Sequence, residues 1–269
     1  MSLSQWEIKD IFTQTKTIIT GDHFVYAKKE TGWFHGSDYI NKDAIYPYTQ
    51  YVSNLCKEIA RHFSEVSPLG SYRYAVVGPT VGAVNLTQWT AHWFSNFSPR
   101  IVFFAICADE EDVLLQRQVN LSCKGEFQAN GKVKIEDIYR LGSSVTKVEV
   151  TYFEKIGTKR VIKRGYNKHV EGVKCLIVED VINSGATVAK TRDAILEAGG
   201  EIVGVGALCN RSGGKVTAET LGVPELFSLL DVDMKMFPED ECPICKERGP
   251  ASVRTDLGKG SEFLVRKGL

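Results

Sequence analysis

Four short stretches of the chain consist of consecutive apolar residues, interrupted only by glycine. They cover 74–77, 101–106, 175–178 and 202–208. Continuous apolar runs are typical of strands that are covered on both faces, as in a parallel sheet. Between the last two runs, apolar residues of 186–198 recur at helical spacing and end before Gly199-Gly200, a helix stop. The pattern therefore predicts a β-α-β unit within an α/β domain.

The stretch 109–157 breaks this pattern, because it is charged, rich in turn residues and only weakly periodic. We expect it to be an insertion, and its acidic cluster 109–112 to be a solvent-exposed turn. Alternating residues in 146–153 and again in 159–162 predict two strands of a hairpin.

Composition limits the classes of function. A chain of 269 residues is long enough for one α/β domain, and its 33 Lys+Arg balance its 33 Asp+Glu. We therefore expect no nucleic-acid partner, and any anion must be held by a local site. No apolar run reaches the length of a membrane span, and the polar first ten residues lack the pattern of a signal peptide. Seven cysteines, an odd number, argue against a secreted disulfide framework and favour the cytoplasm.

The most informative motif is 175–188, in which an apolar strand ends at Glu179 and Asp180 and a small polar loop then opens a helix. Backbone N–H groups at a helix N-terminus can hold a phosphate, and the helix dipole favours its negative charge. Two acids before a loop can also simply cap the helix, and the pair alone does not separate these readings.

The complete run resembles the signature with which type I phosphoribosyltransferases bind phosphoribosyl pyrophosphate (PRPP). The resemblance implies that Glu179 and Asp180 contact the ribose hydroxyls. It also implies that the 5-phosphate is held by the loop residues Asn183, Ser184, Gly185, Ala186 and Thr187.

A second glycine-containing loop follows the strand at 74–77. Alone it is weak, since a Gly-Pro turn after a strand is usually only a turn. In the family that the first motif resembles, a loop at this place in the chain holds the pyrophosphate. The resemblance assigns that role to Gly78, Pro79, Thr80 and Gly82.

Within the family, the chain is most similar to orotate phosphoribosyltransferases. Residues 23–26 and 37–43 resemble the N-terminal hood over the base, and 208–214 resemble the strand end whose arginine meets the orotate carboxylate. The base-binding residues implied are Arg211, Tyr39 and Lys42.

Residues 163–169 resemble the mobile loop that closes over PRPP. The implied catalytic residues are Lys163, Arg164, Lys168 and His169, together with Asp180. The match is incomplete, because Asn167 stands where orotate enzymes carry the catalytic lysine; Lys168, the next residue, is the nearest replacement.

The resemblance implies a doubly wound parallel sheet, the type I phosphoribosyltransferase fold, in a single domain with its core at about 50–225. The terminal segments, about 1–49 and 226–269, would form the hood. The implied enzyme is a Mg²⁺-using pentosyltransferase of pyrimidine synthesis, a homodimer that joins orotate to the ribose 5-phosphate of PRPP. Two alternatives stay open: a purine salvage transferase, and a non-catalytic PRPP-binding regulator, which Asn167 favours.

Cys242 and Cys245 have the spacing of zinc ligands. A structural zinc site needs four ligands, and the candidates for a second pair, Cys107, Cys123 and His62, are unconvincing. We therefore assign no metal ligand from the sequence, and expect His23, His35 and His92 to be packing residues.

Overall fold

The computed structural model describes residues 2–26, 28, 32–66, 73–121 and 148–269. Within these ranges no helix is both long and apolar enough to cross a bilayer. The helices are α1 (Gln5–Gln14), α2 (Thr49–Val66), α3 (Val84–Phe97), α4 (Ala186–Glu197), α5 (Ala218–Leu221), α6 (Pro243–Arg248) and α7 (Gly260–Lys267). The strands are β1 (Ile18–Ile19), β2 (Phe24–Val25), β3 (Phe34–Gly36), β4 (Tyr39–Ile40), β5 (Arg73–Pro79), β6 (Val102–Leu121), β7 (Val148–Val161), β8 (Lys174–Ile182), β9 (Glu201–Asn210), β10 (Leu226–Asp231) and β11 (Phe237–Pro238).

A six-stranded sheet in the order β10-β9-β8-β5-β6-β7 forms the centre of the molecule. All neighbours in it are parallel except β6 and β7. The four apolar runs are its strands β5, β6, β8 and β9, and the predicted helix is α4. The predicted β-α-β unit and the parallel sheet are confirmed.

Helices cover both faces of this sheet. Alternate residues of each strand point to opposite faces, so Val76 and Leu176 pack into the core under α2 and α3. Their neighbours Ala75 and Ile177 pack into a second core under α4. This arrangement is the doubly wound α/β class that was expected.

The predicted hairpin and the predicted acidic turn are wrong. Residues 148–161 form the single strand β7, which pairs with the outer half of β6. The acids at 109–112 are therefore strand residues. Their partners lie across the ladder on β7 and just after it: Asp112 meets Lys155 at 2.5 Å, and Asp109 meets Arg164 at 2.8 Å. Opposite charges across a ladder stabilise the pairing, and analysis of local sequence does not see them. The rest of the expected insertion, 122–147, lies outside the described residues.

The hood is built from both ends of the chain. Strand β11 of the C-terminal segment pairs with β3, and β3 pairs with β2 of the N-terminal segment. Strand β10, which the sequence analysis assigned to the hood, extends the central sheet beside β9 instead. The hood therefore begins after β10 in the C-terminal half.

Candidate active site

The main cleft lies where the strand order of the central sheet reverses. From β5 the chain moves to β6 on one side, and later strands β8 to β10 lie on the other side. Open α/β sheets bind ligands at such a point, beyond the carboxyl ends of the strands. The cleft here has a volume of about 490 Å³. Its lining comes from the ends of β5, β7, β8 and β9, the start of α4, and the hood: Tyr26, Tyr39, Ile40, Asn41, Lys42, Asp43, Pro79, Thr80, Val81, Gly82, Arg160, Glu179, Asp180, Val181, Asn183, Thr187, Arg211, Gly258 and Lys259.

Two buried acids form the floor of the cleft. Glu179 and Asp180 are only 5% and 3% exposed. Glu179 Oε1 accepts the backbone N–H of Asp180 at 3.0 Å, whereas its Oε2 is buried without a hydrogen-bond partner. Burial, and then the charge of Asp180, raise the pKa of Glu179 to about 8. The floor of the cleft therefore contains a buried carboxyl oxygen that the protein itself leaves without a hydrogen-bond partner.

Lys42 connects the hood to this floor. Its Nζ donates to Asp180 Oδ2 at 2.8 Å. Burial alone would lower the pKa of Lys42, but the hydrogen bond and charge of Asp180 outweigh burial and raise it. The sequence analysis placed Lys42 at the base, and the structure places its ammonium group on the acid pair.

Gly82 keeps the glycine-containing loop close to the same acids. A Cβ at this position would collide with the Asp180 carboxylate and would come within 2.8 Å of Lys42 Nζ. The Tyr46 hydroxyl donates to the Gly82 carbonyl. Of the other predicted loop residues, Pro79 and Thr80 line the cleft, whereas Gly78 lies within β5 and packs against α3.

The predicted phosphate loop lies at the edge of the cleft. Gly185 adopts a left-handed conformation (φ 76°) directly before α4, and a Cβ there would press on Leu221 at 2.8 Å. Asn183 and Thr187 line the cleft. Ser184 and Ala186, between them, are exposed. The first N–H groups of a helix have no partner within it, so the loop presents free donors and a positive dipole end to an anion.

Arg211 is one of the cationic side chains that line the cleft. Its backbone N–H donates to the Ile182 carbonyl at 2.9 Å, which fixes it beside the end of β8. Its Nε is buried without a hydrogen-bond partner. Tyr39, which stacks on Phe24 with ring centroids 5.1 Å apart, lines the same cleft. Two of the predicted base-binding residues thus face one space.

Arg160 is a cleft residue that sequence analysis missed. Its guanidinium donates to the Thr80 carbonyl at 2.9 Å and to the Ala108 carbonyl at 3.4 Å, and its Nε is buried without a hydrogen-bond partner. In the sequence it is one of several charges in 159–164. Only the pairing of β7 with β6 shows that this particular residue turns towards the glycine-containing loop.

The residues predicted for the mobile loop do not line this cleft in the part of the chain that the structure describes. Lys163 lies 3.3 Å from Glu111, and Arg164 donates two hydrogen bonds to Asp109. His169 packs on Phe104, and Lys168 is exposed on the short 3₁₀ turn before β8. Their catalytic role stays a prediction.

Comparison with known proteins agrees with the resemblance seen in the sequence. Residues 137–241 match the model of the phosphoribosyl transferase domain. The chain is 26% identical over 249 residues to an orotate phosphoribosyltransferase of Desulforamulus reducens, covering 93% of this chain and 95% of that one. It is 27% identical over 243 residues to an orotate phosphoribosyltransferase of Chlorobium phaeobacteroides, covering 90% and 91%. Among solved structures it is similar to the orotate phosphoribosyltransferase of Mycobacterium tuberculosis, with 14% identity, a TM-score of 0.47, and coverage of 84% and 96%. The fold assignment rests on the sheet topology.

Proposed function

We propose that this chain, a relative of the phosphoribosyltransferases, transfers ribose 5-phosphate from PRPP to orotate and releases pyrophosphate. One observation carries the proposal: two buried acids near the carboxyl end of β8, one of them with an oxygen that lacks a hydrogen-bond partner, lie just before the N-terminus of α4 at the switch point of the sheet. That geometry suits a phosphorylated sugar, because hydroxyl donors and a phosphate must be held at a short, fixed separation.

In the proposed complex, the 5-phosphate binds the N–H groups of 184–187 and the ribose hydroxyls donate to Glu179 and Asp180. A nitrogen of the base attacks C1 of the ribose and loses its proton. The bond from C1 to pyrophosphate breaks, and its electron pair leaves with the pyrophosphate. Negative charge grows on that leaving group, where the guanidinium of Arg160, which lines the cleft beside Thr80, is placed to stabilise it.

The residues present fit Mg²⁺ as the cation that accompanies PRPP. Mg²⁺ takes oxygen ligands, and the acids that line the cleft are Asp43, Glu179 and Asp180, with Glu179 Oε2 buried and without a hydrogen-bond partner. When bound with PRPP, the ion would neutralise part of the pyrophosphate charge. Glu179 and Asp180 are the residues that would hold it.

Arg211 favours orotate as the acceptor. A guanidinium can donate two parallel hydrogen bonds to a carboxylate, which orotate has and purine bases lack. Both alternatives would use the same PRPP site. The purine salvage enzyme would turn over a purine base, and the regulator would turn over no base.

We also propose a homodimer in the cytoplasm. The predicted loop residues do not line the cleft of their own chain, which agrees with their supply by a neighbouring subunit. The six described cysteines are free, which suits a reducing compartment. If subunits share sites, mixing Lys168→Ala protein with Arg211→Ala protein should give more activity than either variant has alone. If the subunits exchange and activity does not recover, the proposal of shared sites is wrong.

A panel of bases tests the function. The protein is incubated with PRPP, Mg²⁺ and orotate, adenine, hypoxanthine or guanine, and pyrophosphate release is measured. We expect release with orotate only. Release with a purine instead would favour the salvage enzyme, and PRPP binding without release with any base would favour the regulator.

A further inference from the structure

Two histidines and two cysteines converge in the hood, away from the proposed catalytic cleft. His23 precedes β2, His35 lies in β3, Cys242 caps α6 and Cys245 lies within α6. One ligand atom from each lies within 4.8 Å of the other three. His23, His35 and Cys242 have no measurable exposure, and Cys245 is half-buried.

The spacing of these atoms matches a tetrahedral metal site. Cys242 Sγ and Cys245 Sγ each lie 3.6 Å from His23 Nε2, and Cys245 Sγ lies 3.4 Å from His35 Nδ1. Four-coordinate zinc with its usual bond lengths places sulfur and nitrogen ligands about 3.5 Å apart. The two nitrogens are 3.0 Å apart, against about 3.3 Å expected for zinc.

The hydrogen bond between His23 and Ser252 fixes the tautomer of His23, and so determines which ring nitrogen directs a lone pair at the cluster. The Ser252 hydroxyl donates its one proton to the Gly249 carbonyl at 2.6 Å. It must therefore accept from His23 Nδ1, 2.7 Å away, which leaves His23 Nε2 unprotonated and directed at the sulfurs.

The surroundings of His35 also favour the tautomer that directs an unprotonated ring nitrogen at the cluster. Its Nε2, buried without a hydrogen-bond partner, lies 3.8 Å from the Glu239 carboxylate, which Arg266 and Lys267 hold in place. A proton on Nε2 suits that carboxylate, and Nδ1 then presents a lone pair to the cluster. Two imidazole lone pairs directed at each other repel unless a cation lies between them. Metal-binding histidines characteristically have such outer acceptors.

The cysteine pair is arranged as a metal-binding turn. Cys242 Sγ accepts the N–H of Cys245 at 3.4 Å, and both cysteines are free. Two sulfur and two nitrogen ligands in a tetrahedral arrangement select Zn²⁺ among common divalent ions. We propose that His23, His35, Cys242 and Cys245 bind a structural zinc ion that joins the two terminal segments of the hood.

The site would stabilise the upper wall of the cleft. Tyr26 of the lining follows His23 by three residues, and its N–H donates to the carbonyl of Phe34, the neighbour of His35, at 2.8 Å. The C-terminal segment that follows Cys245 supplies Gly258 and Lys259 to the lining. The Lys259 N–H also donates to the Val25 carbonyl at 2.8 Å. A zinc ion therefore links the two chain ends that together cover the substrate, and both thiols would bind as thiolates and release their protons.

Metal analysis of the purified full-length protein tests the site. We expect stoichiometric zinc in the wild-type protein and in Cys107→Ala, a cysteine outside the cluster, and loss of zinc in Cys242→Ala and Cys245→Ala. Equal zinc loss in Cys107→Ala, or full zinc content in both cluster variants, would overturn the proposal.

A second measurement keeps the test independent of whether those variants fold. The wild-type protein is exchanged with Co²⁺, and its absorption spectrum is recorded. Tetrahedral thiolate ligation should give intense visible ligand-field bands and sulfur-to-cobalt charge-transfer absorption in the near ultraviolet. A spectrum without thiolate charge transfer, or no stoichiometric uptake of zinc or cobalt, would overturn the site, whatever the enzyme turns over.

Discussion

At the scale of single residues, the cleft stores unfavourable interactions that a ligand would relieve. Glu179 is buried with one oxygen lacking a hydrogen-bond partner, and the Nε atoms of Arg160 and Arg211 are in the same state. Buried polar groups without partners cost stability, typically about 1–3 kcal/mol each. These three side chains line one cleft, where a bound ligand would supply the missing hydrogen-bond partners.

Asp180→Asn should weaken PRPP binding at least roughly tenfold, or about 1.4 kcal/mol, while the fold is retained. The change removes the charge that the Lys42 ammonium contacts and replaces one acceptor oxygen by a donor. Calorimetric titration with PRPP and Mg²⁺ measures the loss, and Asp193→Asn, on α4, is the matched control. Unchanged affinity in a folded Asp180→Asn protein would refute the assignment of the acids.

Glu179→Gln should make the protein less sensitive to pH. The pKa of Glu179 rises on folding from 4.5 to about 8, so the folded state holds this proton more tightly. Between these values the folded chain binds more protons than the unfolded chain, and the free energy of unfolding falls as pH rises. Glutamine does not titrate and removes that contribution.

Denaturant unfolding at about pH 5 and about pH 8 measures the difference. The wild type should lose more stability between the two conditions than Glu179→Gln does. Glu197→Gln, at an exposed position at the end of α4, should behave as the wild type. The same pH response in Glu179→Gln and wild type would show that Glu179 is not the titrating group.

Arg211→Ala should lose orotate binding and largely keep PRPP binding, because a guanidinium suits the orotate carboxylate and Arg211 is not part of the loop before α4. Titration with each ligand separates the two effects. Equal loss of both affinities would place Arg211 on PRPP instead.

At the scale of elements, the sequence predicted the strands and helices whose formation depends on the local pattern of apolar and polar residues. Continuous apolar runs predicted β5, β6, β8 and β9, and the order of strand, acids, loop and helix predicted the short connection from β8 to α4. The antiparallel arm of β6 and β7 was missed, because its charged residues are stabilised by partners 37 or more positions away, as in the pair Arg117 and Glu154. Arg160 and the histidine partners of Cys242 were missed for the same reason: long-range pairing brings them together.

Lys168→Ala tests the segment before β8. A cation that reaches pyrophosphate only on closure stabilises the transition state more than the bound substrate. We expect turnover to fall at least roughly tenfold, about 1.4 kcal/mol, with little change in PRPP affinity. Steady-state kinetics with Lys215→Ala as an exposed-lysine control checks this. Full activity in Lys168→Ala would transfer the role to Lys163 or Arg164.

At the scale of the whole molecule, the cleft exists only because separate parts of the chain meet. The core sheet supplies the acids and the phosphate loop, the β6-β7 arm supplies Arg160, and the hood supplies Lys42 and Tyr39. Since the hood is joined from both ends of the chain, both ends contribute residues to the wall of the cleft.

The most direct test of the account is the product formed from orotate and PRPP. Wild-type protein with Mg²⁺ and both substrates is sampled over time, and the ribosylated base and pyrophosphate are quantified by mass spectrometry and an enzymatic assay. We predict that orotate gains ribose 5-phosphate, that pyrophosphate appears in equal amount, and that Asp180→Asn protein forms far less of both. Absence of the orotate product at saturating PRPP, with the protein folded and PRPP bound, would contradict the account.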